Sequence, residues 1–143
     1  MFSLSETPIP NALLRRCMEN PEAGACVVFE GWVRDRQDDQ TVLSLDYEAY
    51  MPLALAEGQA ILMDTLRRYK VLEACCMHRV GHLEIGDLAV WVGVSGAHRG
   101  EAFQACRYII DEVKRRVPIW KREHYADGRS VWVNAECGIR NAE

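Results

Sequence analysis

The alternation of apolar and polar positions along the chain predicts a series of β-strands. In residues 24–34, Val27 and Phe29 fall on one face of an extended chain and Arg34 falls on the other. Residues 35–40 form a polar connection, so the first two strands are predicted to pair as a hairpin. The predicted strands cover residues 24–34, 41–50, 71–80, 88–95, 119–123 and 130–135, with a glycine-bounded turn at 81–87.

Three other segments space their apolar residues as helices do. The first covers residues 8–20, with Pro10 near its start, and the second covers residues 52–69 and begins with a proline. The third covers residues 100–116 and ends there because Pro118 disfavours a helical conformation in the residue before it. The residues predicted to be buried on the second and third helices are Ala56, Ile61, Met63, Leu66, Phe103, Cys106, Ile110 and Val113.

This order of elements, β-β-α-β-β-α-β-β, predicts the α+β fold class, with helices packed on an antiparallel or mixed sheet. The 143 residues suit a single domain, residues 1–143, and are enough to bury a core without disulfides or metals. We expect the core of that domain at about residues 24–133, with a short helix before it and a tail after it.

The chain is mildly acidic, which limits the partners it can have. Seventeen Lys and Arg residues against twenty-one Asp and Glu give a formal net charge of -4, which argues against general coating of nucleic acid. No apolar run approaches the ~20 residues of a membrane-spanning helix, and the N-terminus lacks the basic and apolar regions of a signal peptide. We therefore expect a cytoplasmic protein.

Six cysteines are present, but their spacing favours neither a metal site nor a disulfide framework. There is no Cys-x-x-Cys motif, and Cys75 and Cys76, adjacent in a predicted strand, would point to opposite faces. Most of the six have apolar neighbours in the sequence, where a free cysteine behaves as a small apolar residue. We interpret them as structural thiols.

Basic residues cluster at the end of the third predicted helix. Lys114 lies in its last turn, and Lys121 follows the break at Pro118. Because the chain reverses there, both ammonium groups can converge on one pocket. A structural explanation also exists, since cations stabilise the C-terminus of any helix. Trp120, beside Lys121, either walls such a pocket as a flat surface for a heterocycle or belongs to the core.

A second basic pair, His98-Arg99, immediately precedes the same helix. The free N–H groups of a first helical turn favour anions, and the guanidinium of Arg99 suits phosphate. The alternative is a histidine whose side chain only satisfies a backbone group at the helix start. Arg34, at the end of the first strand, is ambiguous alone. The pair His78-Arg79 lies within a strand, where side chains alternate between faces, and we interpret it as structural.

The residues alone leave several functions open. No Ser-His-Asp ordering, Walker phosphate loop, Gly-x-Gly-x-x-Gly or His-Glu-x-x-His motif is present, which removes most common enzyme classes. One alternative is a regulatory module that binds an anionic metabolite at His98-Arg99 and oligomerises without catalysis. Another is an RNA-binding module that uses the basic stretch 114–122, with Trp120 for stacking, although the net charge weighs against it.

Short motifs spread over residues 24–133 form a specific combination. They are Gly24-Ala25-x-Val27-x-Phe29-x-Gly31-x-Val33-Arg34, Leu45-x-Tyr47-Glu48-x-Tyr50, His78-Arg79-Val80-Gly81-x-Leu83-x-Ile85-Gly86, Val92-x-Val94-Ser95-x-x-His98-Arg99, Ala102-Phe103, Asp111-x-x-Lys114 and Pro118-Ile119-Trp120-Lys121-Arg122-Glu123, followed by Asp127-Gly128. In order and in spacing, these motifs resemble those of the large, catalytic subunits of molybdopterin synthase.

The resemblance implies a fold and an activity. The fold would be an α+β arrangement of the hammerhead type. The enzyme would convert cyclic pyranopterin monophosphate into molybdopterin by installing the two dithiolene sulfurs. Sulfur would come from the thiocarboxylate on the C-terminal Gly-Gly tail of a small ubiquitin-like partner. The large subunits would form a central homodimer with one small subunit at each end, and no metal or redox cofactor would be required.

The resemblance also implies roles for individual residues. Lys114 and Lys121 would be the catalytic lysines, since attack by a thiocarboxylate needs charge stabilisation and proton transfer. The residues that would line the pterin phosphate pocket are Arg34, His98, Arg99 and Arg122. The chain departs from the family pattern in two places. The connection 35–40 contains no glycine, and the tail Asn134-Ala135-Glu136 contains no basic residue.

Overall fold

The computed structural model describes residues 1–134 and 140–141, and for residues 134, 140 and 141 it describes the backbone only. This part of the chain forms two β-sheets and three helices. In chain order the elements are β1 (Phe2–Ser5), α1 (Asn11–Cys17), β2 (Ala25–Trp32), β3 (Arg36–Gln37), β4 (Gln40–Ala49), α2 (Met51–Arg68), β5 (Glu73–Arg79), β6 (Gly81–Glu84), β7 (Leu88–Gly96), α3 (Arg99–Arg116), β8 (Ile119–Tyr125), β9 (Ser130–Asn134) and β10 (Arg140–Asn141).

The first sheet has the strand order β1-β5-β7-β2, in which β1 runs parallel to β5 and the other pairs are antiparallel. Helices α2 and α3 cover one face, where Val90, Val92 and Val94 of β7 join the main core. On the opposite face, Trp91 and Leu14 of α1 belong to a second cluster. Because both of its faces are buried, β7 is apolar almost throughout. Strand β2 ends the sheet, so within the described residues its outer edge has no neighbouring strand.

The second sheet has the strand order β10-β9-β8-β4-β3, and β6 also pairs with β4. Buried residues from both sheets form the junction between them, namely Val33, Leu45, Leu83 and Ala89. Val117, which follows α3, and Ile119, the first residue of β8, belong to the main core. The second sheet therefore joins the main core at the point where α3 ends. The site described below lies at this point.

The predicted hairpin between the first two long strands is wrong. Strand β2 pairs with β7, and β4 pairs with β8, β6 and β3, so the two strands lie in different sheets. The prediction rested on closeness in sequence, whereas pairing follows from which faces are buried. The tight turn lies instead between β3 and β4, where Asp38 and Asp39 have φ values of 47° and 65°. Two positive φ values define a hairpin turn of type I′, which aspartate tolerates, so this connection does not require the missing glycine.

The remaining elements follow the predicted order closely, and the α+β fold class is confirmed. Helix α1 is shorter than the predicted helix over residues 8–20. Strand β1 was not predicted, because it pairs in parallel with the distant β5; its Phe2 is buried in the main core. Strand β6 occupies the first part of the predicted turn 81–87. Ala135, at the end of the last predicted strand, and Glu136 in the tail lie outside the described residues.

The buried faces of α2 and α3 match the prediction in part. Four of the predicted positions are buried: Ile61, Cys106, Ile110 and Val113. Four are exposed, and there the prediction is wrong: Ala56, Met63, Leu66 and Phe103. Helix α2 instead buries Ala54, Gly58, Ile61, Leu62 and Thr65, a stripe with small residues that lets the helix approach the sheet closely. None of the helices in the described part of the chain is both long enough and apolar enough to cross a membrane.

The described cysteines are free thiols. Cys75, Cys76 and Cys106 are buried, and burial raises the pKa of Cys106 to about 11, so its thiol stays protonated. Cys17 and Cys26 are exposed. The interpretation as structural thiols therefore fits the three buried residues, and Cys137 lies outside the described residues.

A close approach between α2 and β1 makes Gly58 sensitive to substitution. A Cβ atom at Gly58 would overlap the buried ring of Phe2. We expect Gly58→Ala to lower the free energy of unfolding by about 1–2 kcal/mol, because displacing the ring costs more than the gain in helix propensity. Urea denaturation measures this change. The matched control is Gly100→Ala in α3, where a Cβ meets no atom within 4 Å. Equal stability of the two variants would contradict the packing argument.

Candidate active site

A partly enclosed cavity of about 240 Å³ lies where the two sheets and the end of α3 meet. Its apolar wall residues include Phe29, Val90, Ile110, Val113, Val117 and Ile119. The side chains with polar groups that line it are Trp32, Arg34, Tyr47, His78, Lys114 and Lys121. Apolar walls with a few converging polar groups are typical of small-molecule sites. A wider depression of about 310 Å³ lies beside α1, and its charged lining residues are Arg15 and Glu19.

Two lysines reach this cavity from the two sides of the break at Pro118. Lys114 belongs to the last turn of α3, and Lys121 is the third residue of β8. Val117, between them, is 1% exposed, which fixes the chain at the point where the helix ends. The alternation of β8 directs Lys121 to the same face as Ile119, and both line the cavity. The structure therefore brings the two predicted lysines together.

Arg34 lies at the rim of the cavity, shortly after the end of β2. Its Nη2 donates a hydrogen bond to Oε1 of Gln37 at 3.0 Å. An adjoining cavity of about 40 Å³ is lined by Arg34, Lys121 and the buried Glu123, among others. The Tyr125 hydroxyl donates to Oε1 of Glu123 at 3.0 Å. A buried carboxylate thus lies beside two of the site cations and offsets part of their charge.

The neighbouring cations at the end of α3 bind carboxylates outside the cavity. Arg116 donates to Glu57 and Asp64 of α2 at 3.2 and 3.3 Å, and Arg115 donates to Glu112 at 2.6 Å. Of the three basic residues in the last turn of α3, the lysine alone lines the cavity. The predicted basic stretch is therefore divided among different partners and does not form a continuous surface for RNA.

Trp120 and Arg122 lie on the opposite face of β8 from Lys121. A cross-strand partner of Arg122 is Trp132, whose ring centre lies 5.7 Å from the guanidinium carbon. Neither Trp120 nor Arg122 lines the cavity. Within one chain Arg122 therefore lies away from this cavity, and its place in the phosphate pocket stays a prediction. The indole that lines the cavity belongs to Trp32.

His98 and Arg99 lie at the opposite end of α3 from Lys114. Both are exposed, and His98 occupies the N-cap position without a capping side-chain hydrogen bond. Fifteen residues separate Arg99 from Lys114, which corresponds to about 22 Å along the helix axis. Within one chain, the two ends of α3 do not share a site.

His78, which the sequence pattern led us to interpret as structural, also lines the cavity. It is 7% exposed, and its Nδ1 lies 2.7 Å from the backbone carbonyl oxygen of Arg79. Burial, together with the positive charges of Lys114 and Lys121, lowers the pKa of His78 to about 4. The imidazole is therefore neutral near pH 7.

Tyr47 of β4 packs beside His78, with ring centroids 4.8 Å apart and an angle of 85° between the rings. Burial raises the pKa of Tyr47 to about 12, and the charge of Glu123 adds to the effect, so the hydroxyl keeps its proton. The sequence pattern alone predicts no role for Tyr47. Strand alternation did place His78 on the same face as Cys76, but the pattern alone did not tell which face meets the cavity.

The arrangement suits a polar heterocycle that carries an anion. Arg34, Lys114 and Lys121 supply positive charge around a cavity whose lining is part polar and part apolar. Trp32 and the aliphatic wall can contact the flat faces of a ring. Ammonium groups fixed beside a bound substrate can stabilise negative charge that develops in a reaction and can transfer protons.

Comparison with known proteins identifies relatives over most of the chain. Residues 4–116 match the family model described as MoaE protein. The molybdopterin synthase catalytic subunit of Nostoc sp. is 38% identical over 134 residues, which cover 93% of this chain and 81% of the relative. Molybdopterin synthase from Staphylococcus aureus has a crystal structure with a TM-score of 0.85 at 36% identity, covering 90% of this chain and 93% of that chain. A chain in a Helicobacter pylori complex of subunits 1 and 2 of molybdopterin-converting factor shares the fold, with a TM-score of 0.71 at 21% identity over 90% of this chain and 87% of that chain.

The fold is that of molybdopterin synthase, and the chain is a catalytic subunit of this class of enzyme, which acts in molybdenum cofactor biosynthesis. The chain belongs to the MoaE family. This membership decides against the two alternatives left open by the residues, a non-catalytic regulatory module and an RNA-binding module.

Proposed function

We propose that this enzyme transfers sulfur from the thiocarboxylated C-terminus of a small ubiquitin-like subunit to cyclic pyranopterin monophosphate, forming the molybdopterin dithiolene. The observation that carries the proposal is the convergence of Lys114, Lys121 and Arg34 on one cavity with apolar walls. Such a cavity suits a substrate that combines a heterocycle with a phosphate. Membership of the MoaE family supports the same chemistry.

Each sulfur transfer forms one carbon–sulfur bond to the pterin and then breaks another to the carrier. The thiocarboxylate sulfur attacks a carbon of the substrate that bears oxygen. At one of the two carbons this oxygen belongs to the cyclic phosphate, so its displacement opens the ring and leaves a phosphate monoester; at the other carbon the oxygen leaves as water after protonation. Hydrolysis of the acyl–sulfur bond returns the carrier as a carboxylate, so two thiocarboxylates are consumed per dithiolene without oxidation or reduction. Lys121 stabilises charge and moves protons at the transfer centre, and Lys114 positions the thiocarboxylate or the intermediate.

The sulfur carrier enters the cavity by its C-terminal Gly-Gly tail. Glycines have no side chain to exclude them from a narrow pocket, and the thiocarboxylate is an anion that the site cations attract. The Helicobacter pylori relative, a complex of two different subunits, supports a two-component assembly. A cytoplasmic location stays a prediction.

His98 and Arg99 act, in this proposal, on the cavity of a second copy within a central homodimer. They lie about 22 Å along α3 from Lys114, too far to hold the same small substrate in one chain. If a two-fold axis passes near the middle of α3, the α3 helices of the two copies run antiparallel. His98 of one copy then lies near Lys114 of the other. Val28 and Phe103, 38% and 60% exposed, offer apolar surface for that contact.

Mixed dimers test this arrangement. We expect Arg99→Ala and Lys121→Ala each to be strongly impaired as homodimers. When the two variants exchange subunits, activity should return, because each mixed dimer contains one cavity with an intact lysine and the intact arginine of the other copy. Conversion of the cyclic pterin, followed by mass spectrometry on dimers purified through two different tags, measures the recovery.

The matched control mixes Lys114→Ala with Lys121→Ala. Both lysines belong to the same cavity, so no mixed dimer contains an intact site and activity should stay low. If the arginine and lysine variants also fail to complement each other in verified mixed dimers, His98 and Arg99 do not act across a dimer.

The direct test of the function is reconstitution from purified components. Wild-type protein, thiocarboxylated small subunit and cyclic pyranopterin monophosphate should yield molybdopterin, detected by mass spectrometry. The carboxylate form of the small subunit should yield none. Lack of product with a small subunit that supports another catalytic subunit would overturn the proposal.

A further inference from the structure

The inner end of the cavity carries a neutral hydrogen-bond acceptor, Nε2 of His78. Because Nδ1 lies 2.7 Å from the carbonyl oxygen of Arg79, which can only accept, Nδ1 carries the ring proton and Nε2 keeps its lone pair. His78 is more than nine-tenths buried and lines the cavity. Within residues 1–134, Nε2 makes no hydrogen bond with another group. An acceptor without a protein partner at the wall of a cavity is available to a donor on a bound ligand.

The ring of Tyr47 packs against that of His78, and its hydroxyl is a neutral donor. The rings of Tyr47 and His78 are in edge contact, with centroids 4.8 Å apart, and both line the same cavity. The hydroxyl is protonated at physiological pH and makes no hydrogen bond with the described part of the chain. We call Tyr47 and His78 the neutral pair.

The rest of the polar lining has a different character. Arg34, Lys114 and Lys121 are cationic, and the indole N–H of Trp32 donates to Glu30 at 3.2 Å. A phosphate is therefore drawn to the cations. The uncharged edge of a heterocycle gains more at the neutral pair, where one side chain accepts a hydrogen bond and the other donates one.

We propose that the neutral pair recognises the polar edge of the heterocyclic substrate. His78 Nε2 accepts a hydrogen bond from a ring N–H or hydroxyl of the ligand, and the Tyr47 hydroxyl donates one to a ring nitrogen or carbonyl oxygen. This orientation places the ring inward and the phosphate toward Arg34 and the second copy. The inference rests on the proposed function, because it takes the substrate to be a phosphate-bearing heterocycle.

Two conservative substitutions separate recognition from folding. Tyr47→Phe removes only the hydroxyl. His78→Asn keeps an amide near the position of Nδ1, able to donate to the Arg79 carbonyl, and removes the acceptor at Nε2. His78→Gln is the matched control, because its longer side chain returns an amide oxygen close to the position of Nε2. Thermal unfolding and binding of the small subunit establish that each variant is folded.

Isothermal titration with cyclic pyranopterin monophosphate, using the carboxylate form of the small subunit to prevent turnover, measures recognition. We expect Tyr47→Phe and His78→Asn each to raise the Kd about tenfold, as for loss of one hydrogen bond, with partial recovery in His78→Gln. The Kd for inorganic phosphate should stay unchanged in these variants. Arg34→Ala should instead weaken the binding of both ligands.

The outcomes distinguish this inference from the function on which it rests. Wild-type protein that neither binds nor converts the cyclic pterin overturns the proposed function, and the inference with it. Normal conversion by the wild type, with unchanged pterin affinity in folded Tyr47→Phe, overturns the inference alone. Equal weakening of pterin and phosphate binding in that variant also contradicts it, because the neutral pair would then not be specific for the heterocycle.

Discussion

Replacing Lys121 with alanine should lower the rate of sulfur transfer by at least about a hundredfold, the usual effect of removing one group that stabilises charge in a transition state. Lys121 lines a partly enclosed cavity in which polar and apolar side chains meet, so its charge is less screened there than on the open surface. The side chain is partly exposed and outside the three core clusters, so the fold should survive its loss. Single-turnover conversion of the cyclic pterin by thiocarboxylated small subunit measures the effect.

The control for Lys121→Ala is another cation of the same region that lies outside the cavity. Arg115 donates to Glu112 on the exposed surface of α3, one residue after Lys114. Arg115→Ala removes the same unit of charge and should leave the rate within a factor of about two, since exposed ion pairs contribute little. Near-normal turnover in Lys121→Ala, or an equal loss in Arg115→Ala, would remove Lys121 from the transfer centre.

The second large effect concerns stability in acid. His78 has a pKa of about 4 in the folded protein, against 6.5 for the unperturbed group. Between these values the unfolded chain binds a proton that the folded chain does not, so stability is unaffected above about pH 6.5 and falls as the pH decreases toward 4. The full difference amounts to about 3 kcal/mol of unfolding free energy, because burial beside Lys114 and Lys121 opposes protonation.

Urea denaturation at pH 7.0, 5.5 and 4.5 checks this expectation against His78→Asn, whose side chain does not titrate. All other ionisable groups are the same in both proteins, so the difference between their pH profiles isolates the histidine. The wild type should lose clearly more stability than the variant over this range. Parallel profiles would mean that His78 is readily protonated in the folded state, and its role as a neutral acceptor would fail with that result.

The elements were predictable where the local pattern sufficed. The buried run of β7 and the end of α3 before Pro118 follow from the residues themselves. The pairing of β1 with β5, and of β2 with β7, joins segments far apart in sequence, and alternation along one strand carries no information about its neighbour. The hairpin error has this origin.

The candidate site divides in the same way. Lys114 and Lys121 are placed together by a local event, the break at Pro118, and the sequence was enough to predict it. The distance between Arg99 and Lys114 can also be calculated from the sequence, because each residue of a continuous helix adds a fixed length along the axis. His78 and Tyr47 were missed because their directions depend on how two sheets meet, which no local pattern reports.

Within the described residues no strand pairs with the outer edge of β2, and this has a consequence for handling the protein. An edge strand without a neighbour presents free backbone N–H and C=O groups, which pair readily with strands of other molecules and lead to aggregation. The apolar side chain of Val28 lies on this strand and is exposed. An oligomer that covers this edge would therefore keep the protein soluble, in addition to completing the catalytic site. Substitutions that loosen such contacts should first be noticed as poor recovery of soluble protein, before any change in the chemistry of the cavity is measured.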